Sequence, residues 1–304
     1  MPRLVFTGSA RSWRRGLSLL ELLVAIAIIS VILGLSLAAV QRVRASAART
    51  QCANKLHQLG LAHQQYHQTH GAFPPGVSYA DGKDPYPFLG WQARLLPYLE
   101  QRELWDQTVA AFKQDPVFWN DPPHTGLATV VPAFLCPADD RVTSPATVGS
   151  VGLRAFTSYL GVEGTNAGVV DGVLYLDSKC RLADVTDGSS NTLLVGERPP
   201  SADLVLGWWY AGWGQRKNGD GDMLLGVRSR NYAGYGPGCP EGPYHFTPGA
   251  FKNQCDAFHF WSPHAGGAHF ALADGSVRFL SYSADPVMPA LATRAGGEVA
   301  SPPD

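Results

Sequence analysis

No two of the five cysteines stand in a C-x-x-C pair, which argues against a zinc knuckle or a thioredoxin-like redox site. No G-x-S-x-G occurs, so the nucleophile elbow of an α/β-hydrolase is missing. Neither sign of charge dominates: Lys+Arg 24 against Asp+Glu 25 leaves a formal charge of -1, and nothing global points to nucleic acid or to an acidic polymer. Lys, Arg, Asp and Pro are all missing from the 24 residues between Leu17 and Val40. At ~1.5 Å per residue that run is long enough to cross a ~30 Å hydrocarbon layer.

What is present in excess is Gly 33 and Pro 23. A chain of 304 residues with that punctuation suits a turn-rich β domain with few helices. Short runs such as TSYLGVEG, VVDGVLYLD, NTLLVGE, LVLGWWYAGW, AFHFW, AHFALA and SVRFLSYS, separated by Gly, Pro, Asp and Asn, read as strands of an antiparallel sheet. Asp274-Gly275 between two of them is a hairpin signal. Cys239 and Cys255 bracket a Pro- and Gly-rich loop that would gain from a disulfide, with Cys52 and Cys136 as a second pair and Cys180 left over.

The apolar run carries one charge, Glu21, where a carboxylate at depth costs ~2.5 kcal/mol or more. A secretory signal, cut after Ser36-Leu37-Ala38, is too long and ill served by Glu21; a plain anchor leaves Glu21 unexplained. Arg3, Arg11, Arg14 and Arg15 precede the run, but Arg42, Arg44, Arg49 and Lys55 follow it, so charge asymmetry does not fix its orientation. Past the run, RVRASAARTQCANKLHQLGLAHQQYHQTH has no Pro, and the helix is expected to continue to about His70, with Gly71 at its end and Pro74-Pro75 beyond. His63, His67 and His70 share a face and could offer two metal ligands, although polar residues on a packed helix are the plainer reading. A further amphipathic helix is expected from Trp91 to Phe112, kinked at Pro97.

Arg15-Gly16-Leu17-Ser18-Leu19-Leu20-Glu21 resembles the prepilin cleavage and methylation motif of type IV pilins and type II secretion pseudopilins, with Leu17 where Phe is more usual. The resemblance implies cleavage by a prepilin peptidase between Gly16 and Leu17, methylation of the new amine, and assembly in which Glu21 neutralises the Leu17 amine of a neighbouring subunit. Inside a membrane such a pair is far cheaper than two lone charges. CANKLHQLG, LLPYLEQ, FLCPADD, TDGSSNTLLVGE and HAGGAHFALADG, whose His264 and Asp274 are spaced as H-x9-DG, are similar to recurrent segments of a large bacterial family of pilin-like proteins. His264, Gly266, Gly267, Asp274 and Gly275 form that signature, and His264 is expected to pair with Asp274 and fasten the Gly-rich turn, ahead of a metal role.

The fold expected is therefore α+β and pilin-like, a long N-terminal transmembrane helix packed on a mostly antiparallel head. Its divisions are a leader at 1–16, a membrane half-helix at 17–40, an exported half-helix at 41–70, a head at 71–284 and a mobile tail at 285–304. The N-terminus is expected in the cytoplasm, the helix in the inner membrane as a single pass, and the head in the periplasm or at the cell surface. Partners are the peptidase, other pilin-like subunits, the lipid bilayer and an unknown ligand of the head. Ser189 and Ser190 in DGSSN are not tied by spacing to any His, and no catalysis is expected. No cofactor is expected either; Asn218, Asp220 and Asp222 are a weak calcium candidate, because some pseudopilins hold calcium in a C-terminal loop and the EF-hand glutamate is missing here. A second reading is an envelope receptor whose Trp208, Trp209 and Trp213 grip a carbohydrate or peptide.

Overall fold

The computed structural model describes residues 18–81, 83–149 and 151–298. It divides into two units, residues 1–46 and 47–304. Helix α1, Leu19–His70, supplies the described part of the first unit and opens the second. In the first unit Leu, Ile and Val side chains are exposed around the whole helix, including Leu22, Leu23, Ile26, Ile29, Ile32, Leu33 and Leu37. A helix apolar on every side fits a lipid environment rather than a single packing face. The hydroxyl of Ser30 donates to Ile26 O at 2.7 Å, so this polar group is satisfied inside the helix.

In the second unit α1 buries Cys52, Leu56, Leu59, Gly60 and His63, a stripe spaced i, i+4, i+7, i+8, i+11. The helix stops where the sequence places its end. Gly71 takes φ +77 and donates its N–H to His67 O at 2.8 Å, a left-handed termination that glycine adopts without steric cost.

Strands β1 (Ala146–Val148) and β2 (Gly152–Arg154) form a small antiparallel ribbon. The main sheet uses β3 (Tyr159–Val162), β4 (Leu193–Glu197), β5 (Leu224–Leu225), β6 (Gly267–Leu272) and β7 (Val277–Ser281) in the order β5-β3-β4-β6-β7. Three pairings are antiparallel; β3 and β5 run parallel. Both faces are covered. Tyr159, Leu194, Val195, Ala271 and Ala273 join a core with Leu56, Leu59, Trp91 and Trp209, while Leu160, Leu193, Phe270 and Leu272 join another with Phe260, Met288 and Leu291.

Where a mobile tail was expected from 285 to 304, that second core takes in residues up to Ala292, and 299–304 lie outside the described residues. Residues from Asp285 continue a 3-10 helix, Tyr282–Val287, into α4, Met288–Ala292, whose Met288, Leu291 and Ala292 are buried. Asp187 then accepts from Gly296 N at 2.6 Å and Gly297 N at 3.0 Å. The predicted helix Trp91–Phe112 is two helices, α2 (Trp91–Leu95) and α3 (Arg102–Gln114). Leu96–Tyr98 tightens to a 3-10 turn at Pro97, which has no N–H to give, and Glu100 takes φ +59. Of the expected strands, VVDGVLYLD, LVLGWWYAGW and AFHFW are not ladders; the first two make only isolated bridges, at Leu176, Trp208 and Ala211. Gln254–Phe258 is a 3-10 helix.

Candidate functional site

Gly16 and Leu17, with the whole 1–16 leader, lie outside the described residues. Immediately after them the chain makes a capping box. Ser18 Oγ accepts the Glu21 N–H at 3.2 Å, and Glu21 Oε2 accepts the Ser18 N–H at 2.8 Å and the Ser18 hydroxyl at 2.9 Å. The carboxylate is thus held at the N-terminus of α1, where orphan N–H groups and the helix dipole favour a negative charge. Ser18-Leu19-Leu20-Glu21 is an S-x-x-E capping pattern legible in the sequence and superposed on the prepilin motif.

The structure pairs Cys52 with Cys136 and Cys239 with Cys255, with Cα atoms 5.4 and 5.3 Å apart; Cys180 is buried and free. Beside the first pair, Lys55 Nζ donates to Leu135 O at 2.7 Å, a second tie between α1 and the FLCPADD segment.

The H-x9-DG signature is assembled differently from expectation. His264 and Asp274 do not pair. His264 Nε2 lies 3.6 Å from Cys136 Sγ and 3.5 Å from Glu197 Oε1, whereas Asp274 Oδ1 accepts from Ser276 N at 2.8 Å and Ser276 Oγ at 2.6 Å, closing its own turn. The His264 N–H is held by Ser262 Oγ at 3.1 Å, and Ser262 in turn donates to Gly267 O at 2.9 Å. The Asp274-Gly275 turn is the contact with α1. A Cβ on Gly60 would stand 2.9 Å from Gly275 O, His57 Nδ1 lies 3.2 Å from that oxygen, and Gln64 Nε2 donates to Ala273 O. Gly275 at φ +87 completes the turn and Gly266 at φ +90 the preceding one; a Cβ on Gly267 would strike Leu280 O.

Glu197, at the end of β4, anchors this region. Its Oε2 accepts from His269 N at 2.7 Å and lies 3.2 Å from His269 Nδ1. Burial alone would raise the Glu197 carboxyl; the imidazoles of His264 and His269 outweigh it and hold the group below the ordinary carboxylate range. Nothing in the local sequence joins Glu197 to His264, since they stand 67 positions apart.

The histidines of α1 are divided. His63 is buried against Trp91, His67 Nε2 accepts from Leu182 N at 3.0 Å, and His70 stacks on Tyr66. In NGDGD, Asp220 accepts from Gln215 Nε2 at 2.6 Å and Ser229 Oγ at 3.3 Å, Asp222 from Gly214 N at 2.7 Å, and Asn218 Oδ1 from Asp220 N at 3.3 Å. Burial pushes the Asp222 carboxyl up to about 7, its hydrogen bond from Gly214 and the charge of Arg198 offsetting this only in part. Asp220 faces the buried Glu163, and burial raises both. The DGSSN turn serves as a clasp: Ser189 O accepts Asp274 N at 3.0 Å, and Asp187 holds the tail.

One cleft of about 660 Å³ is walled by Trp119, Trp208, Trp213 and Tyr235, with Asp222 among its lining. Trp119 and Trp213 meet edge to face at 4.1 Å, and Trp213 is 39 % exposed, whereas Trp209 is fully buried. Of the three tryptophans of GWWYAGW, then, Trp208 and Trp213 reach the cleft and Trp209 is core.

An apolar N-terminal helix behind a basic leader, joined in sequence to an α+β head, defines a pilin-like membrane protein. The prokaryotic N-terminal methylation motif matches residues 14–37, which implies processing by prepilin peptidase and anchoring through the N-terminal helix. The family described as Protein of unknown function (DUF1559) matches residues 41–287, and the chain belongs to it. No curated protein and no solved structure matches the chain.

Proposed function

We propose that this protein is cut after Gly16, methylated on Leu17, and assembles with other pilin-like subunits through the first unit of α1, displaying its head outside the cytoplasmic membrane. The observation that carries the reading is the helix start. Glu21 is held by Ser18 in the first turn, one turn from the amine that cleavage creates, and the rest of residues 19–40 carries no other charge and exposes Leu, Ile and Val on every side. A carboxylate fixed there stands ready to meet a neighbour's Leu17 amine, and the disulfides suit a head exported to an oxidising compartment. In this reading the N-terminus stays inside and the single pass carries the head outward. Substituting Glu21→Ala tests this: membrane insertion stays normal while crosslinking between subunits through the helix falls at least tenfold. Unchanged crosslinking would reduce the helix to an anchor.

The aromatic cleft favours a second reading, a receptor that does not form filaments. Indole faces stack on sugar rings or grip peptide side chains, and a buried carboxylate at the wall orients a donor group. Tryptophan fluorescence titrated with envelope oligosaccharides and peptides, and lost in Trp213→Ala, supports it; a flat titration removes it.

A further inference from the structure

Four donor groups from widely separated parts of the chain meet inside the head. Cys52 comes from α1, Cys136 from the turn after the 3-10 helix Pro132–Phe134, Glu197 from the end of β4 and His264 from the turn before β6. One ligand atom from each lies within 4.8 Å of the others, and all four residues are buried. They sit in CANKLHQLG, FLCPADD, TDGSSNTLLVGE and the H-x9-DG stretch, so four segments that carried the family resemblance each bring one donor to one point.

Glu197 supplies an independent sign of a ligand. Only 2 % of the residue is exposed, and its Oε1 has no hydrogen-bond partner among the described residues, although Oε2 is engaged by His269. A buried carboxylate oxygen whose one near donor, His264 Nε2, stands as far off as 3.5 Å is under-satisfied, and it shares that point with the two sulfurs. The spacing also fits a metal. Tetrahedral zinc, with Zn–S about 2.3 Å and Zn–N or Zn–O about 2.0–2.1 Å, needs donors roughly 3.3–3.8 Å apart. Cys136 Sγ to His264 Nε2 is 3.6 Å, and His264 Nε2 to Glu197 Oε1 is 3.5 Å.

We propose that, when the Cys52–Cys136 disulfide is opened, this point binds one Zn2+ through Cys52, Cys136, Glu197 and His264. The head is then crosslinked either by a disulfide or by a metal, and the two states exclude each other. A dithiol reductant delivers two electrons and two protons, giving two thiols and its own cyclic disulfide. Zn2+ then displaces the two thiol protons to solvent, and no electron moves in that step. Thiolates with one imidazole and one carboxylate select zinc over calcium or magnesium, which prefer oxygen alone. His269, bonded to Oε2, orients the carboxylate ligand from behind.

The test uses the full chain in detergent micelles, both natural and carrying Cys239→Ser with Cys255→Ser so that one reducible pair remains. Each is reduced with a phosphine, freed of it, and titrated with Co2+ and then Zn2+ without oxygen. One Co2+ per chain is expected, with a thiolate-to-cobalt charge-transfer band and the visible bands of a tetrahedral site, displaced by Zn2+ and missing from the oxidised chain. Cys136→Ser roughly halves the charge-transfer band and Cys52→Ser with Cys136→Ser removes it, and Glu197→Gln and His264→Ala each weaken binding at least tenfold in chelator competition. A reduced, folded chain that binds neither ion, or variants that bind as the natural chain does, overturns the proposal. If reduction unfolds the head, Zn2+ must restore its tryptophan fluorescence; failure to do so overturns the proposal equally.

Discussion

His63 shows how one buried side chain sets a pH response. Its Nδ1 lies 2.8 Å from Leu59 O, its ring stands 4.9 Å from that of Trp91, and its buried Nε2 has no hydrogen-bond partner among the described residues. Burial lowers the imidazole to about 4. The unfolded chain, with an ordinary value near 6.5, takes up a proton between those limits while the folded head does not, so His63 makes stability fall as pH drops from 6.5 towards 4. Between pH 7 and pH 5 the loss is about 2 kcal/mol. Denaturant unfolding at the two pH values measures it, and His63→Phe removes that increment from the difference. Gly60 carries a second prediction. Its approach to Gly275 leaves no room for a methyl group, so Gly60→Ala, usually favourable in a helix, destabilises the head by about 1–3 kcal/mol in the same assay. At this scale much of the site was not legible in the sequence. Glu21 announced itself as a lone charge in an apolar run, and its tie to Ser18 follows a local pattern. His264 was marked by its spacing to Asp274, yet its neighbours are Cys136 and Glu197, 128 and 67 positions away, and no local periodicity encodes such contacts.

Among the elements, those specified by local chemistry were the readable ones. Gly71 ends α1 because a left-handed residue is required there, and Asp274-Gly275 makes the hairpin between β6 and β7 because Gly275 must take positive φ. The Trp91–Phe112 segment kept its helical spacing but broke where Pro97 removes a donor. Pro, Ala and Gly in the tail read as mobile, whereas its Met288, Leu291 and Ala292 join Phe246, Phe260 and Ala284 in covering the far face of the sheet. Leu291→Ala therefore costs about 2–5 kcal/mol in unfolding experiments, a loss a mobile tail would not show. Removing the Cys239–Cys255 crosslink, which spans 16 residues, costs about 3 kcal/mol by the same measurement, chiefly through the freed unfolded chain.

Over the whole molecule, two kinds of sequence meet two kinds of solvent. Residues 19–40 are apolar on every side and contain one fixed charge at their start, while the head hides both faces of its sheet and is tied to α1 through Cys136, Lys55 and the Gly60–Gly275 contact. A helix of the first kind suits lipid, and in the proposed reading its charge meets the amine of a chain that begins at Leu17. The mass of the N-terminal peptide from protein extracted from membranes tests that claim most directly. A chain starting at N-methyl-Leu17, free of residues 1–16, is expected; a chain that retains Met1, or one that starts near Ala39, would contradict the proposed processing.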